Sequence, residues 1–261
     1  MAIANDRRGV VQRSVESLAD LPDDLPRAAL VGGLAVMVRL YEAHRVTTDF
    51  DEVTDDRDAT IAVLLARGAV RTANGVMLPD HGVQLDLLDA GITLAELGAM
   101  VREVEAAGIT EDERRGLQLA MVNRYGLETA VATDIHVVEQ EAVVASVSLP
   151  VAAAGALVAM KANAATDRTR KPDKAASDIF DVYRLIRAWG PSTIAEDLSR
   201  APVPLLVLAA EQLCSIFVDD VERTVRRLRA ASVPGVEAVD ADDLEAAGAV
   251  VESLAPFIHW D

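Results

Sequence analysis

Residues 29–51 read Ala-Leu-Val-Gly-Gly-Leu-Ala-Val-Met-Val-Arg-Leu-Tyr-Glu-Ala-His-Arg-Val-Thr-Thr-Asp-Phe-Asp, and few folds accommodate that order. An apolar triplet (Ala29–Val31) predicts a short strand and Gly32-Gly33 a turn. A helix is expected over Leu34–Ala43 and a second strand over Val46–Val53. Side chains two apart on a strand share a face, so Asp49 and Asp51 are expected to project together while Phe50 turns into a core. Adjacent carboxylates repel unless a cation neutralises them, and a hard divalent ion such as Mg2+ prefers oxygen ligands. Paired glycines let a backbone approach a ligand closely, and the helix that follows aims free N–H groups and its positive dipole end at it. Gly-Gly alone is a turn signal, and D-x-D alone also fits a solvated edge strand. One helix apart, with Arg45-x-Thr47-Thr48 leading into the carboxylates, they suit phosphoryl or nucleotidyl transfer.

The segment Gly32-Gly33-x-Ala35, followed by His44-Arg45-x-Thr47-x-Asp49-x-Asp51, resembles the opening signature of the DNA polymerase β-like nucleotidyltransferase superfamily. Within it, the chain is similar to AbiEii-type nucleotidyltransferases, the toxins of type IV abortive-infection toxin–antitoxin systems. The resemblance spans roughly residues 25–190. It implies two Mg2+ ions held by Asp49, Asp51 and a third carboxylate, with an NTP as substrate. Gly32, Gly33, Arg45 and Thr47 would contact phosphates or brace the strand.

Asp86 stands inside the apolar run Val83-Gln-Leu-Asp-Leu-Leu-Asp89. A buried aspartate is rare unless paired or metal-bound; the plainer reading is an edge strand with Asp86 facing water. The resemblance puts the third carboxylate at Asp86, which would then also take the acceptor's proton. The preceding runs, Ala69–Thr72 and Val76–Leu78, are expected to be strands separated by turn-forming clusters. Upstream, a helix is expected over residues 10–22 and another over Thr60–Ala66 with Asp58 as its cap.

Helices are expected over 93–107 and 113–123, and strands within Ala130–Val147. His136 and Asp134 there read as structural residues. A nearly all-apolar helix, Val151–Ala165, is expected to start at Leu149-Pro150. Lys161 is its one charge, and it either snorkels to water or reaches an anion. The resemblance implies that Lys161 faces the nucleotide and that Asp178 orients it. Asp178 and Asp181 are three apart on a helix that Ser177 is expected to cap, so they share a face. The basic residue that directly precedes the first acid in the family is Ser177 here. Residues 161–175 carry five basic and two acidic side chains, which reads as a solvated loop or as an extension of the positive field.

Charge restricts the partners. The net charge is −17, so passive nucleic-acid binding is disfavoured and any RNA contact needs a local basic patch. Residues 191–261 hold five basic against thirteen acidic residues, with a long helix expected over Val203–Ala231. That tail reads as a helical lid or support. Cys214 is the single cysteine, which excludes a disulfide framework and a cysteine-rich zinc site. Neither a signal peptide nor a membrane span is expected, which predicts a cytoplasmic protein.

The expected fold is α+β. A small mixed β-sheet core with flanking helices would span 1–148, and a helical domain over 149–261 would complete the active-site cleft. The expected function is Mg2+-dependent transfer of a nucleoside monophosphate from an NTP to an acceptor hydroxyl. The resemblance implies a tRNA 3′ end as acceptor and a cognate antitoxin as partner. Two alternatives are a small-molecule, aminoglycoside-like nucleotidyltransferase and a non-catalytic binding module that keeps the fold.

Overall fold

The computed structural model describes residues 2–4, 9–41, 49–79, 82–108, 110–167, 169, 171–231 and 233–258. The chain divides into two compact units. The first comprises 1–91 and 126–153, the second 92–125 and 154–261.

The first unit is built on a mixed eight-stranded sheet. In chain order its elements are β1 (Ala2–Ala4), α1 (Val10–Ala19), β2 (Ala28–Val31), α2 (Gly32–Leu40), β3 (Asp49–Thr54), α3 (Arg57–Ala66), β4 (Val70–Arg71), β5 (Gly75–Leu78) and β6 (Val83–Asp89). After two helices of the second unit, α4 (Leu94–Ala107) and α5 (Glu111–Glu128, whose last turn belongs to the first unit), come β7 (Val131–Glu139) and β8 (Ala142–Val151). The strand order is β1-β7-β8-β2-β3-β6-β5-β4. β2 runs antiparallel to β3, and β3 runs parallel to β6.

Period-two alternation sets the faces. In β6, Val83, Leu85 and Leu87 are buried while Gln84, Asp86 and Leu88 are half-buried. α1 lays Val11, Val15 and Leu18 into the core and packs on β8. The hairpin between β7 and β8 turns on Gln140 and Glu141, both with positive φ (48° and 67°), as a two-residue turn matching strand twist requires. Leu149 and Pro150 lie in β8, so the strand outlasts the expected helix start. β2 bonds to β8 only at Leu30–Val151, which leaves Pro150, without an N–H, outside that ladder.

α3 is capped by Asp56, which accepts from the Ala59 N–H at 2.9 Å. The cap is therefore two residues earlier than Asp58, because the helix already begins at Arg57. Arg57 donates to the carbonyls of Leu87 (2.7 Å) and Asn74 (3.0 Å), pinning α3 to β6 and to the turn before β5.

The second unit adds α6 (Ala154–Thr166), α7 (Pro172–Trp189), α8 (Pro191–Leu198), α9 (Val203–Phe217), α10 (Val221–Ala230) and α11 (Ala241–Leu254). α6 packs on α7, α8 and α9, and α4 packs on α9. The helices of 92–125 thus group with the C-terminal helices, whereas the expected division at 148/149 had them with the sheet; Leu97 and Val101 of α4 are buried and α4 packs on α9. α7 starts at Pro172, where proline loses no helical hydrogen bond, so Ser177 is interior and not a cap. The single helix expected over Val203–Ala231 is two, because Asp220 starts a new one by accepting from the Arg223 N–H at 2.9 Å. Among the described residues no helix is long and apolar enough to cross a membrane.

Candidate active site

β3 and β6 bring two of the expected carboxylates together. Asp51 and Asp86 are register partners on adjacent parallel strands. Partners across a ladder project from the same face, with strands about 4.8 Å apart. Asp86 is half-buried and lies on the inner side of an internal strand pair, not on a sheet edge. The Gln84 amide donates to the Asp86 carboxylate at 2.6 Å. Asp49 holds the register position opposite Gln84. Arg45 and Thr47 lie outside the described residues, as does most of the expected start of the second strand.

Asp51 explains the first glycine. Gly32 opens α2 with φ +66°, and a Cβ there would lie 1.9 Å from the Asp51 Oδ2. The left-handed backbone alone disfavours a side chain, and the carboxylate leaves no room for one. Gly33 is buried in the first turn of the same helix. Arg39, near the helix end and 8 % exposed, donates to the carbonyls of Ala152 (2.8 Å) and Val151 (2.5 Å). This ties α2 to the end of β8, so the helix start that receives Asp51 is held from both ends.

Three residues around this site escaped the sequence reading. Gln84 has a simple signal, since it is two residues before Asp86 on the same strand. Gly75, the register partner of Asp86, would put a Cβ 2.1 Å from the Leu85 carbonyl oxygen, so β5 can approach β6 only with glycine there. Glu52 occupies the opposite face of β3 from Asp51, beside Leu30 and Leu87 in register. It is buried, its Oε2 has no hydrogen-bond partner among the described residues, and burial pushes its carboxyl up to about 7. Nothing in the local pattern Asp-Phe-Asp-Glu-Val distinguishes it from a surface acid.

The remaining candidates lie in the second unit. The Lys161 ammonium is 2.8 Å from Asp178 and 2.9 Å from Asp181. All three are buried, at 9 %, 2 % and 0 % exposure. Lys161 therefore does not snorkel. The i, i+3 spacing on α7 presents both acids to one turn of α6, in the interior of α7 and not in its first turn. Burying an ammonium is tolerable only with such paired, hydrogen-bonded acids.

Among the described residues no group of three or more His, Cys, Asp or Glu side chains is arranged to hold a metal. The described donors at the β3–β6 face are two carboxylates, Asp51 and Asp86. Both are hard oxygen donors of the type Mg2+ accepts, so they fit such an ion in kind.

A glycine-opened helix receiving a strand carboxylate, with a second carboxylate on the neighbouring strand of a mixed sheet, is the frame of a nucleotidyltransferase. The family model described as nucleotidyl transferase AbiEii toxin, type IV TA system, matches residues 16–203, and the chain belongs to that family. Four chains of known structure also match. One is an antigenic nucleotidyltransferase-like protein from Paracoccidioides brasiliensis, 17% identical, with 85% of this chain and 93% of that one covered and a TM-score of 0.45. No curated protein matches the sequence.

Proposed function

We propose that the protein moves a nucleoside monophosphate from an NTP to an acceptor hydroxyl, with a tRNA 3′ end as acceptor, as the toxin of a pair with a cognate antitoxin. The observation that carries this reading is the facing of Asp51 and Asp86 across adjacent strands, with Gly32 shaped around Asp51.

In this reading Asp49, Asp51 and Asp86 would hold Mg2+, which would supply positive charge at the triphosphate. Asp86 also accepts the proton of the attacking hydroxyl, and the Gln84 amide, hydrogen-bonded to it, orients that carboxylate. The backbone N–H groups at Gly32 and Gly33 bind a phosphate at the start of α2. Lys161, which the family resemblance turns toward the nucleotide, has its ammonium fixed by Asp178 and Asp181.

The test is transfer of label from each of the four α-labelled NTPs to bulk tRNA in Mg2+. Asp51→Ala and Asp86→Ala are each expected to abolish labelling while keeping the wild-type circular dichroism. Persistent labelling in either variant would sink the site assignment. Labelling of an aminoglycoside but of no tRNA would replace the acceptor with a small molecule.

A further inference from the structure

α10 reverses the charge of the protein over ten residues. Its sequence, Val-Glu-Arg-Thr-Val-Arg-Arg-Leu-Arg-Ala, holds four arginines against Glu222, net +3 in a chain of net −17, which leaves −20 on the rest. These are four of the five basic residues in 191–261, so the acidic average of that segment conceals a local basic surface.

The helix presents them in one direction. Thr224, Val225 and Leu228 are buried at 3 %, 4 % and 1 % exposure, and α10 packs on α7, α9 and α11. At 100° per residue, Arg223, Arg226, Arg227 and Arg229 fall within an arc of about 160° on the opposite side. All four are exposed. None forms an ion pair among the described residues. Partial desolvation, and after it the positive charge of Arg223, hold the Arg227 guanidinium below its ordinary value. The helix is also well anchored: Asp220 caps its start and the Thr224 hydroxyl donates to the Ile216 carbonyl at 2.8 Å.

We propose that the exposed face of α10 docks the phosphate backbone of an RNA. The inference rests on the proposed function in one respect, the acceptor hydroxyl, and names the class of molecule that carries it. Arginine forks pair with phosphate oxygens and stay charged at any working pH. The four guanidinium-bearing positions span about 9 Å along the helix axis, the length of about three phosphates at the charge spacing of a nucleic-acid strand. The exposed positions of α10 are the arginines, Glu222 and Ala230. That face lacks the aromatic or aliphatic anchor on which protein interfaces depend. Its apolar side is packed into the unit, so it has nothing to insert into a lipid surface. The rest of the chain carries a net charge of −20, which disfavours a polyanion over most of its surface.

The experiment measures binding of fluorescein-labelled bulk tRNA to the full chain by anisotropy, in EDTA without NTP, from 50 to 200 mM KCl. Replacing all four arginines by glutamine is expected to raise Kd at least about tenfold and to lower the slope of log K against log salt by about three. The all-lysine variant is expected to keep most of both. Circular dichroism checks folding. If the quadruple glutamine variant does not fold, Arg223→Gln/Arg227→Gln is measured instead, with a slope change of about 1.5 expected. Wild-type affinity in the glutamine variants overturns the proposal. So does displacement of tRNA by polyglutamate at equal charge concentration, which would indicate an acidic protein, or binding to phosphatidylglycerol vesicles without binding to tRNA. Asp51→Ala is expected to bind tRNA like the wild type. Loss of transfer with retained tRNA binding therefore tests the catalytic reading apart from this one.

Discussion

Glu52→Gln is expected to stabilise the protein, by an amount that grows with pH. Glu52 is 5 % exposed, one of its carboxylate oxygens lacks a hydrogen-bond partner among the described residues, and burial raises its pKa from 4.5 to about 7. An acid whose folded pKa is raised binds its proton more tightly in the folded state. Its contribution to stability is therefore intact below pH 4.5 and is lost as pH rises to about 7. At ~1.4 kcal/mol per unit of mismatch, ionisation opposes folding by about 1 kcal/mol at pH 5.5 and about 3 kcal/mol at pH 8. Glutamine has the same shape and cannot ionise. Urea unfolding of wild type and variant at both pH values, without divalent ions, reads the difference. Subtracting one protein from the other cancels every other titrating group. The variant's advantage is expected to widen by about 2 kcal/mol between the two pH values. A constant gap, or a wild type more stable than the variant at pH 8, would refute a buried, unpaired Glu52.

Gly32→Ala forces a Cβ to within 1.9 Å of the Asp51 carboxylate in a backbone of φ +66°; displacing that carboxylate by about 1 Å is expected to cost transfer about a hundredfold, and a wild-type rate would show that Asp51 need not sit there. Lys161→Ala leaves Asp178 and Asp181 buried without their ammonium and is expected to destabilise the second unit by about 3–5 kcal/mol, with smaller losses in Lys161→Arg; a thermal melt unchanged in Lys161→Ala would contradict the buried ion cluster. With that stability loss offset by assaying at low temperature, weaker NTP binding in Lys161→Ala than in Lys161→Arg is the outcome the phosphate role requires.

Local chemistry made much of this protein legible in its sequence. The glycine pair between an apolar strand and a helix, the strand that carries Asp51, and the i, i+3 spacing of Asp178 and Asp181 all depend on backbone geometry within a few residues. So does the α+β class, which follows from helical and alternating periods along the chain. Three-dimensional packing decided the rest. That Asp86 faces Asp51 is a matter of strand register between residues thirty-five positions apart. The need for glycine at 32 comes from a carboxylate on another strand, and at 75 from the carbonyl of Leu85. Lys161 had two readings until α7 supplied both acids, because a lysine on an apolar helix is defined by what covers it. Residues 92–125 joined the helical unit through long-range packing such as α4 on α9, which no local pattern predicts. Glu52 was indistinguishable from its acidic neighbours because a charge reveals its environment only when the chain has closed around it. The arginines of α10 were visible as letters, but an average over 191–261 hid them; only the burial of Thr224, Val225 and Leu228 shows that they share one exposed face.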